Sequence, residues 1–293
     1  MIYQAGGGSV FMAILIVHLL FGFLVAPPPS HEPAWVPIRD VLSASVPLDR
    51  GYRQMYNLEF EDAHRTFRGW EQAHPEDPLA FTSDGADYLF NEFDREGILQ
   101  SDLFVDDQKF EKRKSPKPDP ALKQAFDANL AKSDTLADSI LKASPQDSRA
   151  LFAKVLNLGL RGDYVALVQG HGWASLKYMK QAGALADSLL KVDPQNYDAY
   201  LAVGVENYML GLSPAPVRWM LRLYGAQTNK NEGVEKLQLT ATRGHYLLPF
   251  ARLLLAVAAM RDDDRPEARK LLDDLAQAFP NNHLYQKELA RLQ

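Results

Sequence analysis

Apolar residues recur along most of the chain at the three- and four-residue spacing of amphipathic helices, with short polar stretches between these segments. No segment shows the strict alternation of a half-buried strand, so we predict an all-α fold. The pattern predicts a last helix at 282–292, preceded by five helix pairs at 40–56 with 60–74, 78–94 with 120–143, 147–160 with 172–192, 196–211 with 229–243, and 246–261 with 265–279.

Several of these helices carry boundary signals. Asn229 with Glu232, and Asp264 with Glu267, have the spacing of a capping box at a helix start. Gly244 suits a helix end. The second pair is interrupted by a charged loop insertion at 95–119, and the fourth by an extra short helix at 214–224.

A repeated spacing joins four of the predicted pairs. A small residue is followed four positions later by a second small or apolar residue, and eight positions after that by a proline. The four copies are Ala63, Phe67 and Pro75; Ser133, Ala137 and Pro145; Ala182, Ala186 and Pro194; and Ala268, Leu272 and Pro280. Residues 136–153 and 185–202 are identical at 10 of 18 positions, which indicates an internal repeat.

The spacing has a physical reason. A small residue lets two helices cross closely, and the residue one turn later lies on the same face and fills the core. The proline ends the second helix of the hairpin. This pattern resembles the tetratricopeptide repeat, which implies an α-α superhelix, or solenoid, of about five hairpins. The chain departs from that repeat because it lacks the opening Trp and its prolines lie 70, 49 and 86 residues apart.

Residues 201–255 carry a second resemblance. They combine glycines, an aromatic residue, a Pro-containing break and a Leu/Arg-rich short helix. This segment is similar to the centre of the tetratricopeptide-39 and inclusion-body-clearance group of eukaryotic proteins, and of related exported bacterial repeat proteins. Where that group has Gly-Asp-Arg, this chain has Thr228, Asn229 and Lys230. The resemblance implies a scaffold and supplies no catalytic residues.

The amino-terminal segment is apolar on every face. Val10 to Ala26 contains 17 residues without a formal charge, and a proline-rich stretch follows. It is longer than a usual signal-peptide core of roughly 7–15 residues and shorter than the roughly 20 residues that span a bilayer. We expect 1–26 to be a signal peptide or a membrane anchor, 27–39 a stiff tether, and 40–293 the repeat domain. A buried core helix is a third alternative for 10–26.

Both leading alternatives export the domain, either to the periplasm or anchored to the membrane and facing the periplasm. The composition adds further limits. The 293 residues include 46% hydrophobic and 24% charged residues and carry a formal charge of −5, which gives no reason to expect a nucleic-acid partner. The chain has no cysteine, which excludes disulfides, thiolate metal sites and a cysteine nucleophile.

Catalytic and cofactor motifs are missing. The sequence has no His-Glu-x-x-His, no Gly-x-Ser-x-Gly and no phosphate-binding Gly-x4-Gly-Lys-Ser/Thr motif. Its seven histidines are scattered without the spacing of metal ligands. We therefore expect no enzyme activity, no cofactor and no metal. His171 lies between two glycines, which fits an ordinary turn or a ligand contact.

Two groups of residues are candidates for binding a partner. Glu206, Asn207 and Tyr208 interrupt an apolar helix, so they either bond to a neighbouring helix or the 225–231 turn, or face a ligand. Arg218, Trp219 and Arg222 share a short basic amphipathic helix. That helix fits a packed insert, a lid over a groove, or a membrane-surface contact.

These observations favour a non-catalytic protein–protein interaction scaffold that binds a peptide or protein on the concave face of the superhelix. The alternative is a lipid- or small-molecule-binding protein that uses the 201–225 insert. An enzyme using that insert as a lid would need titratable groups that converge on one pocket.

Overall fold

The computed structural model describes residues 35–98, 117–212 and 228–292. Within these ranges the chain forms twelve α-helices and no strand, which confirms the predicted all-α fold. The predicted amino-terminal segment, the core of the loop insertion and the inserted helix at 214–224 lie outside the described ranges. Of the helices that are described, none has the length and apolarity required to cross a membrane.

The helices pack as the five predicted hairpins. Each second helix also packs against the first helix of the next hairpin. A short helix α1 (Ile38–Val41) precedes them and α12 (His283–Arg291) follows. The hairpins are α2 (Pro47–Tyr56) with α3 (Phe60–Ala73), α4 (Pro78–Arg95) with α5 (Pro120–Ala143), α6 (Ser148–Asp163) with α7 (Gly172–Val192), α8 (Tyr200–Gly211) with α9 (Lys230–Arg243), and α10 (Leu248–Arg261) with α11 (Arg265–Ala278).

The small residues of the repeated spacing lie at the helix crossings. Ala63, Ser133, Ala182 and Ala268 are at most 3% exposed, and the residues one turn later are fully buried. In hairpin one, a Cβ atom added at Gly51 would overlap the ring of Phe67. The spacing therefore reports where the two helices of a hairpin touch.

Three of the turns, ahead of α4, α6 and α12, share one construction. A proline follows the preceding helix, and an Asp or Asn two residues later caps the next one. Asp77 accepts a hydrogen bond from the backbone N–H of Leu79 at 3.1 Å, and Asn282 does the same for Leu284 at 3.1 Å. The caps predicted at Asn229 and Asp264 are confirmed by bonds to the N–H groups of the residues three positions later.

The first and last hairpins touch each other. The ring of Tyr56 on α2 contacts Phe90 on α4 and Phe279 after α11, with centroids 5.9 and 5.6 Å apart. Asn282 donates a 2.9 Å hydrogen bond to the carbonyl of Tyr56, and Phe90 contacts Phe250 of α10. Aromatic side chains therefore fill the space between the first helices of hairpins one, two and five.

The residues just before hairpin one also pack on hairpin five. Ile38 is 1% exposed. The buried guanidinium of Arg252 donates a 2.7 Å hydrogen bond to the carbonyl of Val36 and lies 4.7 Å from the ring of Trp35. The end of the segment that the sequence analysis assigns to the tether, 35–39, is thus part of the packed domain.

Candidate functional site

A cavity of about 330 Å³ lies where the turns between hairpins meet. Residues from the starts of α4 and α6 and from the turns ahead of α8 and α10 line it. Its apolar lining includes Leu79 and Phe152, and its polar lining includes Arg149, Asp193, Tyr197, Asp198 and Arg243. We call it the turn cavity.

Arg149 forms one wall of the turn cavity through a pair with Asp77. Its Nε and Nη2 atoms donate to the two Asp77 oxygens at 2.8 and 2.5 Å. Trp70 donates to the same carboxylate at 3.1 Å. Burial raises the pKa of Asp77, but the bonds from Arg149 and Trp70 outweigh it, so the pKa lies below its usual value. This two-pronged pair fixes the guanidinium in place.

Asp198 also lines the turn cavity and binds the backbone of a neighbouring turn. Its buried carboxylate accepts hydrogen bonds from the backbone N–H groups of His245, Tyr246 and Leu247, at 2.7, 2.9 and 3.2 Å. Burial raises the pKa of Asp198, and these three bonds oppose that shift. A Cβ at Gly244 would lie 2.6 Å from an Asp198 oxygen, so the tight approach requires glycine.

His245 and Tyr246 join the cavity wall to hairpin one. The Nε2 atom of His245 lies 2.8 Å from a carboxylate oxygen of the buried Asp49. The ring of Tyr246 stacks on Tyr52 with centroids 4.7 Å apart. Burial raises the pKa of Tyr246 to about 12, so its hydroxyl stays neutral at physiological pH.

Arg243 also lines the turn cavity, and its positive charge is available to a ligand. Its side chain is exposed, its Nη1 atom donates to the Tyr197 hydroxyl at 3.2 Å, and its guanidinium lies 5.4 Å from that ring. Within the described part of the chain, it pairs with no carboxylate. A guanidinium held at a cavity edge by a tyrosine is suited to bind a carboxylate or phosphate.

The polar trio predicted from the sequence lies inside the fourth hairpin. Glu206 is 3% exposed, and its carboxylate packs against Gly183 of α7. Asn207 is 1% exposed and accepts a 3.2 Å hydrogen bond from the N–H of Asn229. Asn207 therefore bonds to the 225–231 turn, which is one of the two alternatives predicted for it.

Tyr208 is also enclosed. It is 7% exposed and packs against the backbone of Gly233, where an added Cβ would overlap Tyr208. Its hydroxyl has no hydrogen-bond partner among the described residues, and burial raises its pKa to about 12. Arg218, Trp219 and Arg222 lie outside the described ranges. The three described candidates, Glu206, Asn207 and Tyr208, are therefore buried within the hairpin.

Sequence reasoning missed Arg149 and Arg243, although one signal for Arg149 was present. Arg149 and Asp198 occupy the same position in the two similar copies 136–153 and 185–202, four residues after the proline of each copy. Both side chains reach a neighbouring turn. Arg243 has no such repeat signal, because a glycine replaces the proline in its turn.

Comparisons of the chain with protein-family models, curated proteins and solved structures find no match. The interpretation of the turn cavity therefore rests on its geometry. That geometry combines the paired guanidinium of Arg149, the exposed guanidinium of Arg243, the carboxylates of Asp193 and Asp198, and apolar side chains.

Proposed function

We propose that this protein is a non-catalytic, tetratricopeptide-like scaffold that binds a partner protein, and that an acidic side chain of the partner enters the turn cavity. The observation that carries the proposal is the exposed guanidinium of Arg243 at the edge of a 330 Å³ cavity, without a carboxylate partner in the described residues. A carboxylate from a partner would complete a charge-assisted hydrogen-bond pair there.

The turns are a better place for the partner than the centre of the helical stack. The ring of Phe90 contacts both Tyr56 and Phe250 there, so an extended peptide between hairpins one, two and five would have to displace packed aromatic rings. The turn cavity, in contrast, is preformed. Its second cation, Arg149, is already neutralised by Asp77, which leaves Arg243 to select for negative charge.

A second candidate is a small anionic molecule as the ligand. The volume of the turn cavity lies at the lower end of the range for small-molecule pockets, roughly 300–1,000 Å³. The same guanidinium would bind its carboxylate or phosphate. The two candidates differ in whether the ligand extends beyond the cavity onto the surrounding turns.

A displayed library of random peptides tests the proposal. The wild-type chain should enrich peptides with an acidic residue, and Arg243→Ala should weaken their binding about 10- to 150-fold, the worth of one charge-assisted bond. Arg269→Ala, an equal change at an exposed site on α11, should bind like wild type. Binding should also fall at high salt, because exposed charges are screened.

Two results would contradict the proposal. One is enrichment of peptides without an acidic preference. The other is equal binding by Arg243→Ala and Arg269→Ala. If acidic small molecules bind in an Arg243-dependent way while acidic peptides do not, the second candidate replaces the first.

We also propose export of the domain, on the support of the uncharged apolar segment 10–26 and the prolines after it. A fusion of residues 1–40 to a reporter active only outside the cytoplasm should be active. Mass spectrometry of the full-length chain then separates the two routes, since cleavage gives a new amino terminus near Pro27 and an anchor keeps Met1. A soluble cytoplasmic chain with Met1 intact would exclude both.

A further inference from the structure

A second cluster of polar groups lies between hairpins one and two, away from the turn cavity. His64 comes from α3, and Asp84 and Asp87 come from α4. The Nδ1 atom of His64 lies 2.6 Å from an Asp84 oxygen. A ligand atom from each of the three residues lies within 4.8 Å of the other two.

This cluster contains a buried carboxyl oxygen that no hydrogen bond from the described residues satisfies. Asp84 is fully buried, and its second oxygen accepts a 3.0 Å hydrogen bond from Asn129 of α5. Asp87 is 2% exposed, and its Oδ1 atom has no hydrogen-bond partner in the described residues. A buried carboxylate oxygen without a partner is costly unless a proton or a cation satisfies it.

A third carboxylate has an unsatisfied oxygen as well. Glu71 of α3 is 8% exposed, its Oε1 atom also has no described partner, and its other oxygen is 4.0 Å from the Arg68 guanidinium. Burial, with Asp84 nearby, raises the pKa of Asp87 to about 9 and that of Glu71 to about 7. The carboxyls of Asp87 and Glu71 therefore bind a proton more readily than exposed carboxyls do, and a cation that binds them would displace it.

We propose that His64, Asp84 and Asp87 bind a zinc ion. The imidazole nitrogen and the two carboxylates are ligand types that zinc accepts, whereas magnesium and calcium prefer oxygen ligands alone. Zinc bonds of roughly 2.0–2.1 Å in a tetrahedron give ligand separations of about 3.3 Å. To reach that arrangement, the 2.6 Å separation between His64 and Asp84 would widen as the ion replaces their hydrogen bond, and any separation near the 4.8 Å limit would shorten.

The groups around the three ligands support this assignment. The Nε2 atom of His64 lies 3.1 Å from the Tyr88 hydroxyl, so Nδ1 can bind the ion while Nε2–H donates to Tyr88. Such an outer partner fixes the ring orientation of a zinc-bound histidine. Asn129 orients Asp84 in the same way. The His64 side chain is 27% exposed, which gives the ion a path from solvent.

The sequence alone does not reveal this site. Asp84 and Asp87 are three residues apart on one helix, but His64 lies 20 residues earlier on the neighbouring helix. Only the packing of α3 against α4 brings them together. Because α3 and α4 belong to different hairpins, the ion would cross-link hairpin one to hairpin two, independently of the turn cavity.

Zinc titration of the EDTA-treated full chain tests the proposal. Calorimetry with ZnCl₂ should give one ion per chain, and zinc should raise the melting temperature. Asp87→Asn and His64→Gln should each lower the zinc affinity at least tenfold and abolish the thermal shift. Asp273→Asn, on the exposed face of α11, should behave like wild type.

The metal-free melt provides an independent reading of the same variants. Without zinc, Asp87→Asn should melt no lower than wild type, because it removes a buried carboxylate without a partner. If Asp87→Asn fails to fold, His64→Gln decides the question. The proposal is overturned if wild type binds no zinc, if these variants bind zinc as tightly as wild type, or if magnesium binds equally well.

Discussion

Asp198 fixes the position of a turn through its own two oxygens. Asp198 lies in the turn ahead of α8. The N–H groups of His245, Tyr246 and Leu247, in the turn between hairpins four and five, all bond to it. Backbone donors that lose their acceptor inside a protein keep the full cost of leaving water. The stability of the turn therefore depends on this one carboxylate.

We expect Asp198→Ala to lower the free energy of unfolding by roughly 2–5 kcal/mol, because it leaves three backbone N–H groups without an acceptor. Asp198→Asn keeps one acceptor oxygen, so its free energy of unfolding should lie between those of wild type and Asp198→Ala. Urea denaturation measures both. Asp193→Ala, which removes a single bond to the exposed Gln195 N–H, is the matched control and should cost less than about 1 kcal/mol. Equal losses at Asp198 and Asp193 would contradict this role.

Residue-scale prediction from the sequence reaches a clear limit at the polar trio. Polar residues in an apolar helix must find partners or water, and the sequence cannot tell which. Asn207 meets the turn at Asn229, and Glu206 packs on Gly183. Both contacts depend on close approach of glycine-containing helices. Only the relative placement of α7, α8 and α9 decides between a buried bond and a groove.

At the scale of helices, the sequence predicts most of the fold. Most starts and ends of the five hairpins agree with the observed elements to within four residues, because the caps, the prolines and the small crossing residues act locally. The predicted first helix 40–56 is wrong at its start, since the chain forms the separate helices α1 (Ile38–Val41) and α2 (Pro47–Tyr56) there. Hairpin three also differs. There the chain continues from α6 into a π-helical turn, Tyr164–Val168, before Gly170 with a φ of +70°. No local signal marks that extension.

The small crossing residues give a prediction at this scale. We expect Ala182→Leu to lower the free energy of unfolding by roughly 1–3 kcal/mol, because it adds volume at a packed crossing where Ala182 is 3% exposed. The same change at the exposed Ala290 of α12 should have little effect. Thermal melts of both variants measure the difference. Equal shifts would mean that the spacing does not mark a crossing.

At the scale of the whole molecule, contacts between distant parts close the helical stack. Tyr52 and Tyr246 stack although 194 residues separate them, and Asn281 donates a hydrogen bond to the side chain of Asn57. Repeat spacing describes neighbours only, so it does not predict contacts between the first and last hairpins. The turn cavity is also invisible to the sequence, because it forms where four connections meet.

A substitution at Arg252 tests whether such contacts hold the amino-terminal residues against hairpin five. Its buried guanidinium donates to the carbonyls of Val36 and Ala241 and pairs with Asp274, while Trp35 covers it. Desolvation lowers its pKa, and Asp274 opposes that shift. We expect Arg252→Met to keep the packing volume but leave the carbonyls of Val36 and Ala241 and the carboxylate of Asp274 without this donor, at a cost of roughly 2–4 kcal/mol.

Hydrogen exchange shows whether Arg252→Met destabilises only the amino-terminal segment or the whole domain. If Arg252 holds the amino-terminal segment, the α1 amides, including the Leu42 N–H that bonds to the Ile38 carbonyl at 3.1 Å, should exchange faster in Arg252→Met than the amides of α6 do. Arg269→Met on the exposed face of α11 is the control and should leave α1 protected. Uniformly faster exchange over the whole chain would show that Arg252 supports the general core. Unchanged exchange at α1 would show that the aromatic contacts of Tyr52 and Tyr56 close the stack without it.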